Sequence, residues 1–140
     1  MSDEKQTERG ISFMNQWVPF EEGEYIVIRA FLMTPDHQAI AVEKAFIEVW
    51  KDQQGLRQVK GSGMIRPFLM VEMHEEHENP DMILDLGGKF KYRLKEPVLH
   101  AGKVFSREVS SALQFYPSAP WEQISEEDYR SLCEQLHFLS

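Results

Sequence analysis

Thr34-Pro35-Asp36-His37-Gln38-Ala39-Ile40-Ala41-Val42-Glu43-Lys44-Ala45-Phe46-Ile47-Glu48-Val49-Trp50 admits two readings, and the choice between them sets the fold class. In the helical reading Thr34 caps, Pro35 takes the first helical position and Asp36 favours the positive end of the dipole. Val42, Ala45, Phe46, Val49 and Trp50 then fall on one face, with Lys44, Glu48 and Lys51 opposite. Gly55 closes the segment. In the extended reading a turn at Pro35-Asp36 leads into a strand ending in Phe46-Ile47-Glu48-Val49-Trp50. Strict alternation there leaves Lys44 and Glu48 among apolar partners. The spacing therefore predicts a helix over 36–53.

Upstream, Tyr25 to Met33 is rich in β-branched and aromatic residues with Arg29 its one charge, a strand buried on both faces. Downstream, Leu56 to Lys60 is a short strand and Gly61-Ser62-Gly63 a turn. Met64 to Met73 is a strand with Leu69, Val71 and Met73 on one face; Pro67 places it at an edge or delays its start. Glu75 to Asp81 is a charged loop broken by Asn79-Pro80. Met82 to Leu86 and residues 89–95 form a hairpin around Gly87-Gly88. Val98-Leu99 and Val104 to Tyr116 supply one or two more strands. Pro117-Ser118-Ala119-Pro120 is a stiff linker. Ser125 followed by Glu126, Glu127 and Asp128 is a helix start, and Tyr129, Leu132, Cys133 and Leu136 continue it as an apolar stripe. The expected fold is α+β: an antiparallel sheet of about five to six strands, one helix after the first strand and a C-terminal helix. Residues 1–10 read as a flexible polar tail and 11–140 as one domain.

Composition narrows the function classes. The chain has 140 residues, 42% of them hydrophobic, and carries net charge −8, with a pI near 5.1. It is long enough for a real core, and its acidity argues against nucleic acid or an anionic membrane as partner. Cys133 is the single cysteine, which excludes an internal disulfide and fits a cytoplasmic location. The N-terminus shows no apolar leader and no segment is long and apolar enough to span a bilayer.

Two charged stretches are the candidate sites. An extended 89–95 puts Lys89, Lys91, Arg93 and Lys95 on one face, and Phe90, Tyr92 and Leu94 on the other. Like charges about 7 Å apart call for something negative opposite. That is either an anionic ligand, with His100 nearby, or the protein's own acids, such as Glu72 and Glu76. No P-loop pattern accompanies the strand. The other stretch holds His74, His77 and Glu78, ligand types for a divalent metal, although the spacing matches no metalloprotease signature. Cys133 lies on the apolar stripe of the last helix with His137 four residues later on the same side, a spacing at which a Cys–His pair can activate a thiolate, although a free cysteine in such a stripe is more often a small core residue. Trp17, Phe20, Trp50 and Trp121 flank connectors, where aromatics form either a partner groove or the closed ends of a core.

Glu96-Pro97-Val98-Leu99-His100-Ala101-Gly102 loosely resembles the Pro-Val…Gly turn of hot-dog proteins. That resemblance spans only those residues and implies an enzyme or binder for a small acyl or anionic ligand. No assembled catalytic motif accompanies it, and no cofactor is expected. The leading expectation is a small acidic cytoplasmic binding or adaptor domain, engaging another protein or a second copy of itself. Loop 72–78 and the basic face of 89–95 are the expected contacts.

Overall fold

The structure, a computed structural model, describes residues 17–76, 79–102 and 108–139, with residues 74–76 described by their backbone alone. The tail 1–10 and part of the strand expected over 104–116 therefore lie outside the described residues. Among the described residues ten strands run in chain order: β1 (Gly23–Ile26), β2 (Arg29–Met33), β3 (Gln38–Lys51), β4 (Arg57–Ile65), β5 (Asp81–Asp85), β6 (Lys91–Leu94), β7 (Val98–Ala101), β8 (Ser111–Tyr116), β9 (Glu122–Gln123) and β10 (His137–Phe138). Among the described residues two short helices interrupt them, α1 (Pro67–Glu76) and α2 (Glu126–Glu134). The sheet runs β7-β8-β4-β3-β2-β5-β6-β9, with β1 and β10 also on β3. It curls into a half-barrel, which overturns the expected five- or six-stranded α+β fold. Among the described residues all pairings are antiparallel except that of β10 with β3.

The expected helix over 36–53 is strand β3, and the reason it imitates a helix is visible in its backbone. Ile40 and Val42 point inward, and so do Ala45, Ile47 and Val49. The inward face therefore changes parity between 42 and 45. At that point the register to β4 shifts between Glu43 and Phe46, and Lys44 has φ +53°. A β-bulge puts one additional residue into the strand and bends it. The resulting spacing of three between Val42 and Ala45 resembles one turn of helix. Phe46 and Trp50, assigned above to the buried stripe, lie on the outer face instead. Lys44 and Glu48 need no apolar partners, because neither faces the core.

Thr34-Pro35-Asp36 makes a turn rather than a helix start. His37 N–H donates to Thr34 O (3.0 Å) and Thr34 N–H to Gln38 O (2.9 Å). Thr and Asp cap helices and stabilise turns through the same side-chain oxygens, so composition alone does not separate the two.

The strand expected over Tyr25 to Met33 also breaks at the corner. Val27 N–H donates to Ala45 O, whereas Ile28 N–H donates to Asp85 O. The chain thus leaves the second half of β3 and joins β5. β1 pairs with residues 46–49 of β3 and β2 with residues 39–42. β3 is accordingly the shared strand of two sheets that meet at its bulge. β2 is buried on both faces as expected: Ala30 and Leu32 belong to the main core, while Phe31 and Met33 pack with Ile83 and Tyr129 under α2.

Gly61 and Gly63 lie within β4, not in a turn. A Cβ on Gly61 would stand 2.0 Å from the Phe115 ring, so the glycine exists to admit that ring. The strand expected over Met64 to Met73 ends at Ile65, and Pro67 opens α1. Leu69 and Met73, four residues apart, are buried, while Val71 is 44% exposed. That is helical periodicity, which a strand with all three residues on one face does not give. The C-terminal helix is as expected: Asp128 N–H donates to Ser125 Oγ (3.0 Å), and Leu132, Cys133 and Leu136 pack against the second core cluster.

Candidate protein-binding surface

The basic strand is extended, and its cations meet the protein's own acids. Tyr92 and Leu94 point into the main core. On the opposite face Lys91 is buried, its Nζ 3.2 Å from Asp85 Oδ1 and 5.1 Å from the Tyr129 ring centre. Arg93 makes a two-nitrogen contact with Asp81 Oδ2, through Nη2 and through Nε at 2.8 Å. Lys95 approaches Glu122 at 3.8 Å in solvent. The hairpin register sets Asp85 opposite Lys91 and puts Asp81 on the same partner strand, while Glu122 comes from β9 on the other side of β6; of the upstream acids, the side chain of Glu76 lies outside the described residues. Phe90, expected to turn inward, is 46% exposed, because it belongs to the turn closed by Phe90 N–H to Gly87 O (2.9 Å). Lys89 is exposed, with its Nζ 5.6 Å from the Phe90 ring centre. His100 lies on β7, exposed against Tyr116 at 6.0 Å between ring centres. It therefore sits at one end of the sheet order, while the cations sit on β6 near the other.

Burial under α2 distinguishes Lys91 and Asp85 from ordinary surface pairs. Their side chains are 11% and 15% exposed. A pair in that setting is destabilising to break, whereas an exposed one such as Lys95–Glu122 contributes roughly 0–1 kcal/mol. Burial, reinforced by Cys133 and Asp85, pushes the neighbouring Tyr129 phenol above its ordinary pKa. Arg29 lies over Phe31 and Phe138 (5.5 and 5.4 Å) and donates to Cys133 Sγ (3.7 Å), which ties β10 and α2 to the sheet.

His74 falls in the last part of α1; His77 and Glu78 lie outside the described residues. Among the described residues no group of three metal-ligating side chains converges. Cys133 and His137 are not one helical turn apart, because α2 ends at Glu134 and His137 begins β10. The helix that a hot-dog fold requires is strand β3.

A surface that the sequence reading did not single out lies at the corner of the two sheets. Ile26 is 82% exposed and Ile28 69%. Ile26 stands opposite Phe46, itself on the outer face of β3. Ile28 lies beside Gly87, whose missing side chain leaves room for it. Phe90, 46% exposed, lines the same groove as Ile26. Between β1 and the β5–β6 turn runs an open groove of about 420 Å³, lined by Phe20, Glu24, Tyr25, Ile26, Leu86 and Phe90. Its floor is an aromatic cluster: Phe20 touches Tyr25, Tyr92 and Trp121 at ring-centre distances of 5.0, 5.2 and 5.5 Å. Phe20 and Trp121 close one end of the core and Phe20 also lines the groove, while Trp50 is 42% exposed on the outer face.

No family model matches the chain, and no curated protein and no solved structure matches it.

Ile26-Val27-Ile28 carries no local signal for this surface. A continuous strand from Tyr25 to Met33 puts Ile26 and Ile28 on the same face as Ala30 and Leu32. Only the corner at Val27–Ile28 separates them, and no local residue type marks that corner. What positions it is β3's bulge, which is non-local.

Proposed function

We propose that the protein is a small acidic binding domain without catalytic chemistry of its own, and that it engages another protein through the apolar ridge Ile26, Ile28, Phe46 and Phe90. The observation that carries this reading is the exposure of adjacent isoleucines at the sheet corner. Single exposed apolar residues are ordinary, but contiguous ones rimmed by polar groups mark interaction sites. The interior adds support: Phe115, Ile47, Leu32, Met82 and Leu94 fill it, each under 2% exposed. With Lys91 and Arg93 paired internally, the ridge is a better contact than the basic face. Net charge −8 favours a basic partner. A cytoplasmic setting, in keeping with the lone Cys133, is part of the proposal. No helix among the described residues is long and apolar enough to cross a membrane.

The test compares the full chain with an Ile26→Asp, Phe46→Asp variant. Both positions are on the outer face, so the melting temperature should hold. Quantitative affinity purification should recover a protein with the parent chain and lose it with the variant. Equal recovery by both chains would contradict the ridge as the contact.

A further inference from the structure

Resting on that reading, we infer that the partner is captured by strand addition: an extended segment pairs with the open edge of β1, carrying a basic residue opposite Glu24 and an apolar residue opposite Ile26. Among the described residues β1 pairs with β3 alone. Val27 N–H bonds to β3, at Ala45 O. By alternation Gly23 and Tyr25 also direct their backbone groups to β3, in register with Val49 and Ile47. The backbone N–H and C=O of Glu24 and Ile26 then point the other way, into the groove facing Leu86 and Phe90. An open edge of this kind is a template for another strand.

Charge chooses the occupant. Glu24 stands directly opposite Glu48 across the strand pair, and like charges in that arrangement are destabilising. Among the described residues Glu24 makes no ion pair. Lys60 is opposite Glu48 on its far side, on β4. The acid on the outer strand therefore lacks a cation where an added strand would place one. Glu24 and Ile26 share the outer face, so the complementary side chains are two positions apart on the incoming segment. The residue between them faces the groove floor of Phe20 and Tyr25. A second copy of this chain fits less well, because pairing β1 with β1 brings Glu24 of two chains of charge −8 together.

The experiment pans a random peptide library against the full chain and measures the enriched peptides by fluorescence anisotropy. The expected consensus has Lys or Arg two positions from Val, Ile, Leu or Phe. N-methylating alternate amides of such a peptide should weaken binding at least about tenfold, since two backbone hydrogen bonds are lost. Glu24→Pro, which removes an outward N–H while leaving the β1–β3 bonds, should abolish binding; Glu24→Gln should weaken it and flatten its salt dependence. If peptides are lost with Ile26→Ala yet tolerate N-methylation and Glu24→Pro, strand addition is wrong and the binding ridge stands. If no peptide depends on Ile26, both fail. Concentration-dependent dimers abolished by Glu24→Pro would overturn the foreign segment in favour of a second copy.

Discussion

Lys44→Gly should make this protein more stable, which is the opposite of what glycine does inside a helix. Lys44 is exposed, and none of the ion pairs of the described residues uses it. Its backbone has φ +53°, a left-handed conformation that costs an L-residue about 1–2 kcal/mol. Glycine removes that strain but adds freedom to the unfolded chain, worth about 0.4–1 kcal/mol. The net expectation is a gain of about 0.5–1 kcal/mol. In urea that raises the midpoint by about 0.3 M with the slope unchanged, and in a thermal scan by about 2–4 °C. Lys44→Ala should be nearly neutral, and Lys44→Val should destabilise because a β-branched side chain tolerates φ > 0 worst. If residues 36–53 were helical, Lys44→Gly would instead cost about 1 kcal/mol relative to a good helix former. A loss of that size would refute the bulge and the two-sheet corner that depends on it.

Three further perturbations have defined outcomes. Gly61→Ala drives a Cβ into the fully buried Phe115 ring and should destabilise by about 1–3 kcal/mol; pairing it with Phe115→Leu should recover part of the loss in urea melts. Lys91→Ala leaves the Asp85 carboxylate under α2 without its cation and should cost about 3 kcal/mol by denaturation, largely insensitive to salt, while Lys95→Ala should change little. Burial raises the pKa of Tyr92 and of Tyr129 in the folded state. The protonated phenols are therefore favoured by folding, so their contribution is complete below the unfolded value of about 10 and declines as pH rises above it. Urea midpoints from pH 8 upward should fall beyond that point, and Tyr129→Phe should flatten the fall.

What the residues revealed was local. Ser125 and its acidic first turn located α2, Gly87-Gly88 located the β5–β6 turn, and the alternation of 89–95 placed Tyr92 and Leu94 inward. Each of these depends on neighbours a few positions away. The larger errors share a cause in non-local structure. Nothing within residues 36–53 reveals that β3 pairs with four other strands and must bend between them; the bulge at Lys44 then mimics helical spacing. Gly61-Ser62-Gly63 looked like a turn because the ring that requires the glycine, Phe115, lies on β8. The charge pattern of the basic strand implies internal ionic partners as a class, but their identity depends on which strands flank β6 and in what register. The ridge at Ile26 and Ile28 was hidden because exposure there arises from a change of strand partner, not from residue type.

The most direct measurement is residue-resolved amide hydrogen exchange across β1 in the free protein. Tyr25 and Val27, bonded to β3, should exchange slowly, and Glu24 and Ile26, facing the open groove, should exchange within the dead time. Uniform protection of all four amides would mean that the β1 edge is already covered, and the binding surface built on it would not exist.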